Sequence, residues 1–94
     1  MPDIVVSEFM DEAAIRTGLS GFDVLYDPTL VGRPDDLKRA VAGARALIVR
    51  NRTQVDAGVI EAGEKLVAIG RLGVGLDNID VEACRARDIT VYPA

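Results

Sequence analysis

The sequence predicts an α/β fold, a parallel sheet with helices on both faces, and two observations predict it. Five short apolar runs are spread along the 94 residues: Ile4-Val5-Val6, Phe22 to Tyr26, Ala46-Leu47-Ile48-Val49, Leu66-Val67-Ala68-Ile69 and Ile89 to Tyr92. Runs of this length, rich in β-branched residues, read as strands, and three are continuous enough to suggest burial on both faces. A polar or helix-like stretch separates each run from the next. That alternation implies right-handed crossovers and a parallel sheet covered on both sides. The expected sheet has five strands in the flavodoxin-like order 2-1-3-4-5.

Each intervening stretch carries its own helix signal. Asp11 can cap a helix through about Thr17, with Gly18 as its stop. Pro34-Asp35-Asp36 opens a second, because proline suits the first turn and carboxylates there favour the helix dipole. Its apolar positions Leu37, Ala40, Val41 and Ala44 share a face, and Gly43 lies near its end. Thr53-Gln54-Val55-Asp56 has capping-box-like spacing for a third, through about Ala62, with Thr53 as the cap. Asp80 is positioned to cap a fourth, running through Cys84 to about Arg87. No linker, low-complexity stretch or internal repeat interrupts the pattern, so residues 1–94 read as one small domain.

Composition narrows the function. Net charge is −4, which argues against nucleic-acid binding, since that rests on clustered Lys and Arg neutralising phosphates. There is no histidine and one cysteine, so a zinc site is not expected and histidine acid–base chemistry is excluded within these residues. No apolar run approaches the ~20 residues of a membrane helix. The start, Met1-Pro2-Asp3, lacks the basic and long apolar regions of a secretory signal. Cys84 has no partner for an internal disulfide, and a reducing cytoplasm is the expected home. Its i, i+3 spacing from Val81 marks it as a core position rather than a reactive thiol.

Parallel sheets place ligands outside the carboxyl ends of their strands, so three loops matter: Ser7 to Met10, Arg50 to Thr53, and Gly70 to Asn78. The first shows no obvious chemistry. In the third, Gly73 and Gly75 permit positive φ and close approach of a ligand. Successive amides in such a turn can form a concave anion site, and Arg71 adds a planar cation suited to carboxylate or phosphate. Local physics alone favours a plain glycine turn with Arg71 solvated at its edge. A dinucleotide fingerprint is the weakest reading, because Asn78 stands where the third glycine of Gly-x-Gly-x-x-Gly belongs.

Arg71-Leu72-Gly73-Val74-Gly75-Leu76-Asp77-Asn78-Ile79-Asp80, followed by Val81-Glu82-Ala83-Cys84, resembles the Arg-x-Gly-x-Gly-x-Asp-Asn-(Ile/Val)-Asp segment of D-2-hydroxyacid dehydrogenases, in particular the phosphoglycerate dehydrogenase branch. Upstream, Ala46-Leu47-Ile48-Val49-Arg50-Asn51-Arg52-Thr53 is similar to the family's Leu-Ile-Val-Arg-Ser-x-Thr loop. The likeness spans Ala46 to Pro93, with fold-level agreement before it. It implies that the backbone at Val74 and Gly75, with Gly73 permitting the turn, binds the carboxylate of a small 2-oxo or 2-hydroxy acid. It places Arg71 at the substrate mouth and Arg50 at another substrate-side position. Asn51 and Arg52 depart from the commoner small residues, and Arg52 raises the local charge to three arginines. The expected substrate therefore carries a second anion, as phosphoglycerate or sulfolactate does. Asp77, Asn78 and Asp80 are expected to fix the turn and cap the helix.

The resemblance further implies an NAD-dependent parent enzyme, of which this chain is the N-terminal part of the substrate-binding (catalytic) domain. The nucleotide-binding domain, with the acid–base histidine, lies outside the chain, and a C-terminal segment returns to complete the substrate domain. The chain alone is then expected to lack dehydrogenase activity and to self-associate as a dimer or higher oligomer through exposed apolar surface. Its partner is a small anionic acid, not a nucleic acid or a membrane. The strongest alternative is a stand-alone α/β regulatory or interaction domain, which leaves the arginine–glycine loop unexplained. A receiver-type domain is disfavoured because Arg50 stands where a phosphorylated aspartate belongs. A flavin-binding module lacks aromatic partners for a ring.

Overall fold

The computed structural model describes residues 2–73 and 75–93. Five strands, β1 (Ile4–Val6), β2 (Val24–Tyr26), β3 (Ala46–Val49), β4 (Ala68–Arg71) and β5 (Thr90–Pro93), alternate with four helices: α1 (Glu12–Gly18), α2 (Pro34–Val41), α3 (Ala57–Ala62) and α4 (Val81–Ala86). A short 3-10 helix, Pro28–Gly32, precedes α2. Every strand pair is parallel, and the order is β2-β1-β3-β4-β5, the order the sequence predicts. No helix of the described residues is long and apolar enough to cross a membrane.

Three aspartates start helices, Asp11 and Asp80 as expected and Asp56 in place of Thr53. The side chains of Asp11, Asp56 and Asp80 accept from the backbone N–H of Ala13, Val59 and Ala83 at 2.9, 3.0 and 3.0 Å. Each satisfies a donor that the first helical turn leaves without an internal partner. The expected cap at Thr53 is corrected: Asp56 caps α3, and Thr53 is buried three residues earlier. α1 runs through Gly18, one residue beyond the expected end, with Leu19 as its C-cap, and the positive-φ glycine lies further on, at Gly21. β1 and β3 coincide with their apolar runs, whereas β2 is shorter than its run and β4 and β5 are displaced along theirs. Phe22 lies outside β2 and is exposed, and Leu66 and Val67 precede β4.

Alternation along the strands divides the core in two. Val5, Leu47, Val49 and Ile69 point to one face, where they pack with Leu37, Val41, Val59, Ile60, Cys84 and Ile89 of the α2–α4 layer. Ile4, Val6, Met10, Ile48 and Val24 form a smaller cluster with Ile15 of α1 and Leu19, which follows it. α1 has no buried residue of its own. On this second face the cross-strand row Ile48, Gly70, Tyr92 runs out towards β5, where Tyr92 is 60% exposed. Helices thus cover both faces, unequally.

Cys84 is buried, and burial followed by the nearby Asp80 carboxylate pushes its thiol up from the ordinary range. A core thiol held in its neutral form is the inert packing residue that the helix spacing implies.

Candidate functional site at the carboxyl ends of the strands

The three loops singled out by the topology form one hydrogen-bonded unit. At its centre is Glu8, which follows β1 and is only 4% exposed. Its carboxylate accepts from the backbone N–H groups of Arg50, Arg52 and Thr53 at 2.6, 3.0 and 3.0 Å. The preceding residue, Ser7, meets the Thr53 hydroxyl at 2.9 Å, also buried. Burial opposes ionisation of Glu8. The hydrogen bonds from the Thr53 backbone, the Arg50 backbone, the Thr53 hydroxyl and the Arg52 backbone outweigh it and hold the carboxyl below its ordinary range. Glu8 is therefore a carboxylate anion inside the protein, with the loop after β3 folded around it.

Asn78 ties the loop after β4 to the same segment. Its Nδ2 donates to the carbonyls of Arg50 and Thr53 at 2.8 and 2.9 Å, and its Oδ1 accepts from Arg71 Nε at 3.4 Å. A parallel bridge between Val55 and Ile79 continues the connection, with Val55 N–H donating to Asn78 O and Asp80 N–H to Val55 O. The structural role expected for Asn78 extends beyond its own turn: one side-chain amide joins the Arg71 guanidinium to both ends of the loop after β3.

The sequence-predicted site residues fall in three settings. Arg50 is exposed, with Nη1 donating to the Phe9 carbonyl at 3.3 Å, and Arg52 is exposed beside it. Arg71 is 7% exposed and lies along its own loop, Nη1 donating to the Leu72 carbonyl at 3.0 Å. Gly73 and Gly75 have φ of +119° and +86°, in the region that glycine adopts without cost. A side chain at Gly73 would also meet the Arg71 guanidinium, which would have to move aside, so the φ is what calls for glycine at this position. Val74, assigned a carboxylate-binding amide from the sequence, lies outside the described residues.

Two neighbouring grooves open here. One, of about 560 Å³, is mostly apolar and is lined by Met10, Ile15, Ile48, Arg50, Leu72 and Gly73 among others. A second, of about 350 Å³, is bordered by Glu8, Arg50, Asn51 and Arg52. Arg50 stands between them. The structure thus brings Arg50 together with Gly73 and with Arg52, while Arg71 and Gly75 line neither groove. Among the described residues no cluster of His, Cys, Asp and Glu is arranged to hold a metal ion.

Sequence reasoning missed Ser7 and Glu8. A usable signal was present: a polar pair directly following a fully buried strand, at the sheet end where ligands bind. In a sheet of order 2-1-3-4-5 the crevice between the ends of β1 and β3 is the topological switch point. Here Glu8 and Thr53 fill that crevice, and the open grooves lie to either side of it.

Comparison with known proteins identifies the family. The family described as D-isomer specific 2-hydroxyacid dehydrogenase, catalytic domain, matches residues 4–94. The (S)-sulfolactate dehydrogenase of Chromohalobacter salexigens is 54% identical over 94 residues, covering 100% of this chain and 30% of that protein. The D-3-phosphoglycerate dehydrogenase of Archaeoglobus fulgidus is 48% identical over 83 residues, 88% of this chain and 13% of its own length. Among solved structures, an NAD+-bound 3-phosphoglycerate dehydrogenase from Entamoeba histolytica superposes with a TM-score of 0.81 at 33% identity, covering 96% of this chain and 32% of that one. The chain spans less than a third of the length of each of these relatives. By fold, by motif and by extent of match, it belongs to the D-isomer specific 2-hydroxyacid dehydrogenase family, within the region that family's catalytic domain describes.

Proposed function

We propose that this chain is the substrate-binding portion of an NAD-dependent oxidoreductase that interconverts a 2-hydroxy acid and a 2-oxo acid bearing a second anionic group, a sulfonate or a phosphate. The observation that carries the reading is the arrangement of arginines and glycines at the ends of β3 and β4. Arg50 and Gly73 share one groove and Arg50 and Arg52 border the next, in a chain whose net charge is −4. The positive-φ turn offers backbone amides to the carboxylate common to all such acids. The exposed guanidinium groups of Arg50 and Arg52 serve the second anion, for which a planar fork of donors is suited. Relatives named for sulfolactate and phosphoglycerate support this choice, since both acids carry such a group.

The described residues do not fit a dinucleotide. Asn78 occupies the place of the third fingerprint glycine and is committed to the loop after β3, and α4 begins only at Val81. The cofactor site and the acid–base group are therefore assigned to a part of the enzyme outside these residues, and the chain alone is expected to bind acid without turning it over.

Titration of the isotope-labelled chain with pyruvate and with sulfopyruvate, followed through the backbone amides of Leu72 to Gly75, tests the reading. Selective shifts that are stronger for the doubly anionic acid are expected. Equal response to both acids overturns the second-anion assignment, and no response in the folded chain overturns substrate binding by this portion. The exposed Phe9, Leu72 and Tyr92 further support self-association of the chain. Light scattering at high protein concentration is expected to report a dimer or larger species, and a monomer overturns that part.

A further inference from the structure

We propose that Glu8 is a positioning residue for substrate selection: its buried carboxylate occupies the anion nest of the Arg50–Thr53 loop and thereby sets how Arg50 and Arg52 meet the second anionic group. The proposal rests on the functional reading above and adds to it a residue that acts through the backbone of the loop rather than by binding the acid.

The argument begins with what the loop's backbone has to offer. Three of its N–H groups, those of Arg50, Arg52 and Thr53, converge on one carboxylate. Converging amides of this kind make a binding place for an anion. The chain fills that place itself, with a group tethered to the end of β1. No ligand oxygen can then use these three amides, and recognition in this loop falls to side chains, which are the exposed guanidinium groups of Arg50 and Arg52.

Glu8 also fixes where those side chains start. The backbone N–H of each arginine is held on the carboxylate, and the Arg50 carbonyl is held by Asn78. Long charged side chains lose rotamer freedom when they bind, so a fixed origin lowers what remains to be ordered. The Ser7–Thr53 hydroxyl contact and the Asn78 bond to the Thr53 carbonyl hold the far end of the loop. The carboxylate-binding turn after β4 receives nothing directly from Glu8. Loss of Glu8 should therefore reach the second anion and spare the first.

The full 94-residue chain tests this through its affinities for pyruvate and sulfopyruvate in the wild type, Glu8→Gln and Glu8→Asp. An amide at position 8 keeps the size but brings a donor against donors, and the shorter Asp keeps the charge. In Glu8→Gln we expect sulfopyruvate affinity to fall about tenfold with pyruvate within about twofold, the scale on which displaced supporting contacts act. Glu8→Asp should recover part of the lost discrimination. A folded Glu8→Gln that discriminates as the wild type does, or that weakens both acids equally, overturns the positioning role alone. A wild type that does not discriminate overturns the functional reading and the positioning role with it. Hydrogen exchange on the wild type needs no variant: the amides of Arg50, Arg52 and Thr53 should be protected in the free chain and slowed further by sulfopyruvate only. Exchange at solvent rates, or equal slowing by pyruvate, overturns the proposal.

Discussion

On one face of the sheet, Val5, Leu47, Val49 and Ile69 meet three helices and are shut off from solvent, while on the other Ile4, Val6 and Ile48 meet only α1, which buries none of its own residues. Strand alternation makes the two sets immediate neighbours in sequence, so the difference lies in what each face is packed against. The closed face supplies most of the apolar burial that stabilises so small a domain. The open face carries the larger groove, with Arg50 and Gly73 at its rim. Stability and access to a site are thus separated across the thickness of a single sheet.

The largest expected effect sharpens that contrast. Leu47→Ala, on the closed face, should cost about 3 kcal/mol in urea unfolding, whereas Ile48→Ala on the half-covered face should cost about 1 kcal/mol, because a partly exposed site loses less burial and leaves no sealed cavity. Equal costs would abolish the distinction between the faces.

A smaller effect concerns the edge at which the faces meet. Glu8→Gln should destabilise the chain by about 2 kcal/mol at neutral pH, the scale of hydrogen bonds to a buried charged group. The folded carboxyl titrates below its ordinary value of 4.5, so its contribution is fully present above that pH and is lost as pH falls through the folded value. The gap between wild type and Glu8→Gln in urea midpoint should therefore close on acidification. A gap that is constant with pH would show that the charge is not what holds the loop.

The smallest effect compares helix starts on the two faces. Asp56→Ala removes the cap of α3, which buries Val59 and Ile60, and should cost about 1 kcal/mol; Asp11→Ala on the exposed α1 should cost about half that. A greater loss at Asp11 would mean that α1 contributes more to the fold than its exposure indicates.

Much of the architecture is legible in the sequence because its causes are local or periodic. Ala46 to Val49 reads as a strand because both faces of a central parallel strand are apolar, and the run coincides with β3. Asp80 reads as a cap because its partner, the Ala83 N–H, is three residues away. Thr53 misleads for the opposite reason. Its spacing suits a cap, but its hydroxyl finds Ser7 46 residues distant, and Asp56 takes the local role. The 3-10 helix after β2 follows no apolar period in the sequence, although Asp27 accepts from the Thr29 N–H and hydroxyl much as a cap does. Within the candidate site, the glycines after β4 announce themselves by composition. Glu8 is marked only by its place directly after a fully buried strand, because its partners are backbone N–H groups, which leave no mark on the residues that carry them.

The buried clamp has a consequence for behaviour in salt. Arg50 and Arg52 stand in solvent, where attraction for an anion fades over about 8 Å at physiological ionic strength and over less in brine. Glu8 and its three amides are buried or partly buried, where mobile ions screen charge far less. Added salt is therefore expected to weaken the pull of Arg50 and Arg52 while leaving the shape of the loop that carries them in place.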